Sequence, residues 1–270
     1  MKKRIAITGG ASFLGINLVK LLVKKSNYEV VLLARSKKKY TKVFKDFDNV
    51  NLHEGDLLDP KSLRGFLTKG TILINLAYLS KQIINNSIAT TNIINAANSA
   101  NVSQVLHCSS AVVSGRVDIP IITEDTPCNP LSEYEKTKLA IEERLLEKLK
   151  GKIELIIIRP TFVFGDGGKN LLKTIHSQLN NSRIINIASV MLNKYRKIHL
   201  VPVNDVVTAI YYLASTNINL SGEKFIISKD HDLENNYFSI VNKIAFKIGS
   251  KRYYKVFFPF STLILMLILK

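Results

Sequence analysis

The chain has 270 residues, of which 46% are hydrophobic, and 38 lysines and arginines against 21 acidic side chains give a formal net charge of +17. A chain of this length buries roughly three quarters of its unfolded surface, which excludes both a disordered tail and a small disulfide-stapled peptide. Two cysteines, Cys108 and Cys128, are too few for a disulfide framework or a four-thiolate zinc site, and no Cys-x-x-Cys or His-x-x-x-His spacing occurs; no metal and a reducing, cytoplasmic compartment are expected.

Met1-Lys2-Lys3-Arg4 ahead of an apolar stretch has the outline of a signal peptide. However, Gly9, Gly10, Ser12, Gly15 and Asn17 interrupt any hydrophobic region, and no small-residue cleavage site follows. The segment reads as a first strand. Further strands are predicted at 29–34, 50–53, 71–75, 104–109 and 154–159, with helices at 14–25, 61–67, 85–100 and 133–150. This alternation predicts an α/β fold, a doubly wound parallel sheet of Rossmann-like type with right-handed crossovers and both faces covered. Ligands in such sheets bind beyond the carboxyl ends of the strands. After Arg159-Pro160 the alternation loosens, and Gly165, Gly167 and Gly168 mark a loop. A nucleotide-binding domain over 1–165 and a smaller C-terminal substrate-binding lobe over 166–270 are therefore expected.

The run from Ile5 to Gly15 passes from an apolar strand through a turn of small residues into an amphipathic helix. Small residues at 9, 12 and 15 let the backbone approach a pyrophosphate, and the helix amino end supplies N–H groups and the positive end of a dipole. With Thr8-Gly9-Gly10-Ala11-Ser12-Phe13-Leu14-Gly15 the chain resembles the extended short-chain dehydrogenase/reductase family. Its members are NAD(P)-dependent epimerases, dehydratases and reductases of nucleotide sugars, and its fingerprint is Thr-Gly-x-x-Gly-x-x-Gly. Ser12 replaces the middle glycine; because its side chain restricts positive φ, a wider loop or a hydroxyl bond to a phosphate is expected. The resemblance implies cofactor contacts from Gly9, Ser12, Phe13, Leu14 and Gly15. It also implies Asp56 and Leu57 beside the adenine, Ala77 along the cofactor, and Asn92 from a segment resembling Asn-x-x-Gly-Thr-x-Asn. Asp56 equally suits a cap on the turn that follows it.

The exit of the second strand, Val31-Leu32-Leu33-Ala34-Arg35-Ser36-Lys37, holds no acid that would bond a ribose 2′-hydroxyl and repel a 2′-phosphate. Arg35 offers a planar fork to a phosphate, so NADP is expected, with NAD the second choice; an arginine on a solvated loop is the plainer reading.

Tyr134 and Lys138 stand four apart on a predicted helix, one above the other on the same face. A nearby ammonium favours a phenolate, so Lys138 is expected to lower the tyrosine pKa. Cys108-Ser109-Ser110-Ala111 at the end of the fifth strand resembles the family segment whose serine bonds the substrate oxygen, by position Ser110. The resemblance implies a catalytic set of Ser110, Tyr134 and Lys138, with Tyr134 as acid/base and Lys138 also on the nicotinamide ribose. Ser114 stands where the family commonly has tyrosine.

Arg159-Pro160-Thr161-Phe162-Val163-Phe164-Gly165 and Val203-Asn204-Asp205-Val206 resemble further family segments and point to a nucleotide-diphosphate sugar, reduced or epimerised at a 4-keto carbon. Phe162, where many relatives carry asparagine, and Arg196, within Lys194-Tyr195-Arg196-Lys197, are assigned to the substrate, although a plain basic loop reads equally well. Two other readings stay open: a hydroxysteroid or other lipid-alcohol dehydrogenase, and a non-catalytic NADP-binding scaffold or redox sensor. The basic residues lack the interleaved aromatics that stack bases, so no nucleic-acid partner is expected. A homodimer is the expected assembly. The apolar stretch 256–269 is split by Pro259 and falls short of the about 20 residues a span requires. It suits a core, a subunit interface or peripheral membrane attachment.

Overall fold

The computed structural model describes residues 2–25, 27–45, 47, 49–79, 83–168, 192–193 and 195–247. The apolar C-terminal stretch and Lys194 lie outside them. The central element is a sheet in which six neighbouring strand pairs are all parallel. Its strands are β1 (Lys3–Thr8), β2 (Tyr28–Ala34), β3 (Val50–Glu54), β4 (Ile72–Asn75), β5 (Gln104–Cys108), β6 (Glu154–Pro160) and β9 (Lys224–Ile227), in the order β3-β2-β1-β4-β5-β6-β9. The chain builds outward from β1 in one direction and then, from β4, in the other. The reversal lies between β1 and β4, which places a ligand crevice at their carboxyl ends.

Both faces are covered because successive strand residues point to opposite sides and both sides are apolar. Ile5 and Ile7 pack with Leu18 and Leu22 of α1 (Phe13–Lys25) and with Val206 and Ile210 of α5 (Val203–Ser215). Ala6 and Leu73 face the other way, toward Ile93 and Ala97 of α3 (Ile83–Ala100) and Ile141 and Leu145 of α4 (Glu133–Leu149). A short α2 (Lys37–Val43) follows β2, and the predicted helix at 61–67 is instead one 3-10 turn, Pro60–Leu63, with Asp59 accepting from the Lys61 amide.

Two features fix α4: its start and its hold on β6. A capping box joins Ser132 and Glu135 at its start. Glu142, two turns further on, is gripped by Arg159 of β6 through Nε at 3.1 and 3.2 Å and Nη2 at 2.6 Å, and each of the two side chains is only 1% exposed.

The chain divides into two compact units, one of Met1–Val163 with Val201–Ile227 and one of Phe164–Leu200 with Ser228–Lys270. The contiguous division expected at 165/166 therefore differs from the observed one in its second half. β9 completes the sheet beside β6, and the apolar stripe of α5 packs against the sheet face, so Val201–Ile227 belongs with the first unit. β7 (Phe162–Phe164) and β8 (Leu200–Pro202) pair as a separate two-stranded sheet. In the second unit, α6 (Tyr237–Lys247) buries Val241 and Ala245, and Asn235 bonds both the amide and the carbonyl of Leu200.

Candidate active site

The turn after β1 is shaped by two glycines. Gly9 has φ of +71°, and a Cβ there would stand 2.9 Å from the Ala77 amide nitrogen; one on Gly15 would stand 2.5 Å from the Gly9 carbonyl oxygen. Neither position tolerates a side chain. Ser12 does not take a positive φ, and its hydroxyl is turned inward to accept from the Gly15 amide at 3.1 Å. It caps α1, and the hydroxyl keeps its own proton free for the phosphate bond expected of it. The amides of Phe13 and Leu14 stand at the amino end of α1, where helix geometry offers no intrahelical acceptor, and the first turn carries no acid. A backbone cradle without side chains at the positive end of a helix fits a dinucleotide pyrophosphate.

The other residues assigned to the cofactor lie on the same rim. Thr8 Oγ1 accepts from the Ala77 amide at 3.3 Å, which holds the exit of β4 against that of β1. Asn92 of α3 donates to the Leu57 carbonyl at 2.8 Å and ties that helix to the loop after β3. Asp56 accepts from the Leu58 amide at 2.9 Å, so its carboxylate serves the local turn anticipated for it. Arg35 is exposed at the exit of β2, beside exposed Ser36 and Lys37.

At the β5 exit, Ser110 starts a 3-10 turn (Ala111–Ser114), and its hydroxyl lies beside the Tyr134 phenol. Lys138, only 4% exposed, donates to the Cys108 carbonyl at 3.0 Å and lies 4.9 Å from the centre of the Tyr78 ring. Tyr78 in turn meets Tyr134 edge to face at 5.0 Å. The three groups predicted together are thus gathered at one place. The expected depression of the Tyr134 pKa is not found. Burial pushes it up, Cys108 and Tyr78 add to the rise, and the Ser110 hydroxyl opposes it. Lys138 does not reverse this shift, and burial lowers its own pKa against the pull of Cys108 and Glu142.

Phe162 begins β7 and is 41% exposed. Arg196 belongs to the second unit, exposed, with its carbonyl accepting from the Tyr237 amide at 2.8 Å. Both cysteines are free, Cys108 buried and Cys128 partly so. Among the described residues no cluster of metal-binding side chains occurs, and no helix is long and apolar enough to cross a membrane.

The pattern of the NAD dependent epimerase/dehydratase family matches residues 5–228, most of the chain. The chain belongs to this family. It is 28% identical to the UDP-glucose 4-epimerase of Vibrio cholerae over 251 residues, covering 86% of this chain and 73% of that protein. It is also 28% identical over 195 residues to the dTDP-4-dehydrorhamnose reductase of Aggregatibacter actinomycetemcomitans, covering 69% of this chain and 60% of the reductase. The solved dTDP-glucose 4,6-dehydratase of Bacillus anthracis, a complex with NAD, superposes with a TM-score of 0.71 at 19% identity, covering 93% of this chain and 83% of that one. That last likeness concerns the fold.

Sequence reasoning passed over two features of this family member. One is Tyr78, placed by its neighbours Asn75-Leu76-Ala77 at a strand exit, where an aromatic in an otherwise small-residue stretch is the available signal. The other is a polar ladder across three strand ends. Thr8 donates to Asn75 Oδ1 at 2.6 Å, and Asn75 Nδ2 meets His107 Nδ1 at 3.1 Å. Thr8, Asn75 and His107 are register partners on β1, β4 and β5, and that pairing is invisible until the strand order is known.

Proposed function

We propose that this chain is an NADP-dependent oxidoreductase of a nucleotide-diphosphate sugar, reducing a 4-keto carbon with Tyr134 as the proton donor. The observation that carries this reading is the Tyr134 phenol beside the Ser110 hydroxyl, its ring edge to face with the Tyr78 ring over which Lys138 lies. The bound coenzyme would supply hydride. Gly9, Ser12, Phe13, Leu14 and Gly15 would hold its pyrophosphate, Asp56, Leu57, Ala77 and Asn92 its adenosine side, and Lys138 its nicotinamide ribose.

Ser110 orients the substrate oxygen toward Tyr134. The raised pKa keeps the phenol protonated at neutral pH, which is the form a reductase needs in order to give a proton to a forming alkoxide. Lys138, held by the Cys108 carbonyl one turn further along α4, stabilises the phenolate left behind. Arg35 supports NADP, and with it net reduction, over a recycled NAD. Epimerisation is the second reading, favoured by the similarity to a UDP-glucose 4-epimerase over most of the chain.

The test is to supply UDP-, dTDP- and GDP-linked 4-keto-6-deoxy sugars with NADPH or NADH and follow absorbance at the reduced-nicotinamide band, with UDP-glucose and UDP-galactose assayed in parallel for interconversion. Consumption of NADPH with a new sugar nucleotide supports reduction. Interconversion of the UDP-hexoses without net coenzyme change replaces it by epimerisation. No turnover alongside tight coenzyme binding points to a binding scaffold.

A further inference from the structure

Tyr78 stands between two anchored stretches of backbone. On one side the Leu76 amide donates to the Thr8 carbonyl at 3.2 Å and the Ala77 amide to Thr8 Oγ1 at 3.3 Å, which ties the exit of β4 to that of β1. On the other, the Leu79 amide donates to Asn86 Oδ1 and Asn86 Nδ2 donates back to the Leu79 carbonyl, both at 2.9 Å, and Asn86, in the first turn of α3, is only 3% exposed. These bonds on residues 76, 77 and 79 fix where the backbone carries the ring of residue 78.

The ring placed there touches both partners of the proton-transfer pair. Lys138 Nζ lies 4.9 Å from its centre, and the Tyr134 ring meets it edge to face at 5.0 Å with 84° between the planes. An ammonium that is 4% exposed has given up most of its water, and the Cys108 carbonyl at 3.0 Å takes one of its three protons. The negative face of an aromatic ring supplies further compensation, and such a contact is strongest where water is excluded. An edge-to-face pair fixes both the separation and the tilt of its two rings. Both contacts belong to the ring of Tyr78 and not to its hydroxyl.

We propose that Tyr78 is a positioning residue for the proton transfer, its ring holding the Lys138 ammonium on its face and the Tyr134 ring against it, so that acid and amine keep one spacing. This rests on the functional reading above for its chemistry, though not for the contacts. The ring also favours the charged form of Lys138, against the burial that lowers its pKa. The ammonium is the form that offsets the phenolate left when Tyr134 gives up its proton. Because the role belongs to the π face, phenylalanine serves in place of Tyr78 and an aliphatic side chain does not.

The test has two arms, both on the full chain. The first is a double-mutant cycle of Tyr78→Leu, Lys138→Met and both together, read by urea unfolding at pH 7.5. The unfolding constants are expected to show a coupling of about tenfold, and a cycle with Tyr78→Phe in place of Tyr78→Leu less than about twofold. A coupling below about twofold in the leucine cycle overturns the proposal, whatever the activity. The second arm is turnover of the 4-keto-6-deoxy sugar nucleotides. Tyr78→Leu is expected to lower kcat at least about tenfold, to keep coenzyme affinity within about twofold and to move the alkaline limb of the kcat profile to lower pH, and Tyr78→Phe to restore most of both. Leucine and phenylalanine variants that behave alike overturn the proposal too, since the ring is then only a filler. A wild type without turnover overturns the functional reading instead, and the cycle alone then decides whether the ring holds Lys138.

Discussion

Around Lys138 the strand ends are buried and their side chains are fixed by partners from other strands, whereas around Arg35 they are exposed and held by little beyond the backbone. Lys138 is 4% exposed, His107 fully buried and the Glu142–Arg159 pair 1% exposed, all of them contacting groups brought in from β4, β5 and β6. Arg35, Ser36 and Lys37 are open to solvent. The difference suits the roles proposed for the two ends, because a proton must be passed over a distance fixed to a fraction of an ångström, while a coenzyme phosphate can be caught by a flexible cation.

The sharpest way to break this contrast is Tyr134→Phe. If the fixed end is the reacting end, this change lowers turnover at least about a thousandfold and leaves coenzyme affinity within about twofold. Parallel turnover and fluorescence titrations check it, and retained turnover removes tyrosine from the chemistry. Glu142→Ala probes what holds that end together. It leaves the Arg159 guanidinium buried without its carboxylate, a situation that costs about 3–5 kcal/mol, so urea unfolding should show a loss in that range. The double change Glu142→Leu with Arg159→Met should recover most of it. If the single change costs less than about 1 kcal/mol, α4 is held by its apolar face alone.

At the open end the expected effect is smaller. Arg35→Ala removes an exposed cation, and about a tenfold weakening of NADPH is expected, diminishing in high salt, with no change in the melting temperature. A salt-independent loss would mean that the guanidinium acts through packing.

The same contrast explains what could be read without the structure. The glycine turn after β1, the seven parallel strands but for the last, and the Tyr134 and Lys138 pair all express local rules: small residues at a turn, apolar runs, a four-residue spacing on a helix; Ser110 is assigned by family resemblance. Their detection required no knowledge of which strands are neighbours. The return of Val201–Ile227 to the first unit, by contrast, depends on β9 finding β6. The rise in the Tyr134 pKa depends on how deeply a ring sinks against Tyr78 and Cys108. Ser12 illustrates the limit on a smaller scale, since the sequence shows a hydroxyl in a phosphate turn but not that it is turned toward the Gly15 amide.

The smallest effect tests the ladder beneath the fixed end. Thr8 donates to Asn75 Oδ1, which leaves Asn75 Nδ2 as donor to His107 Nδ1, so the imidazole carries its proton on Nε2 and is neutral. Nε2 has no hydrogen-bond partner among the described residues. Burial, and then the charge of Lys138, hold the His107 pKa well below 6.5. Below that pH the unfolded chain binds a proton that the native chain refuses, so this group makes stability fall as pH drops through about 6.5. One unit below that value the loss is at most about 1.4 kcal/mol, since each pKa unit corresponds to about 1.4 kcal/mol. His107→Gln removes the titration while keeping a polar side chain beside Asn75. In urea unfolding at pH 7.5 and 5.5, the wild type should therefore lose up to about 1.4 kcal/mol more than the variant, since the contributions of the groups common to both chains cancel in the difference. Equal losses would mean that the native chain accepts the proton at His107, and the fixed end would then be as open to solvent at its base as the Arg35 end is at its rim.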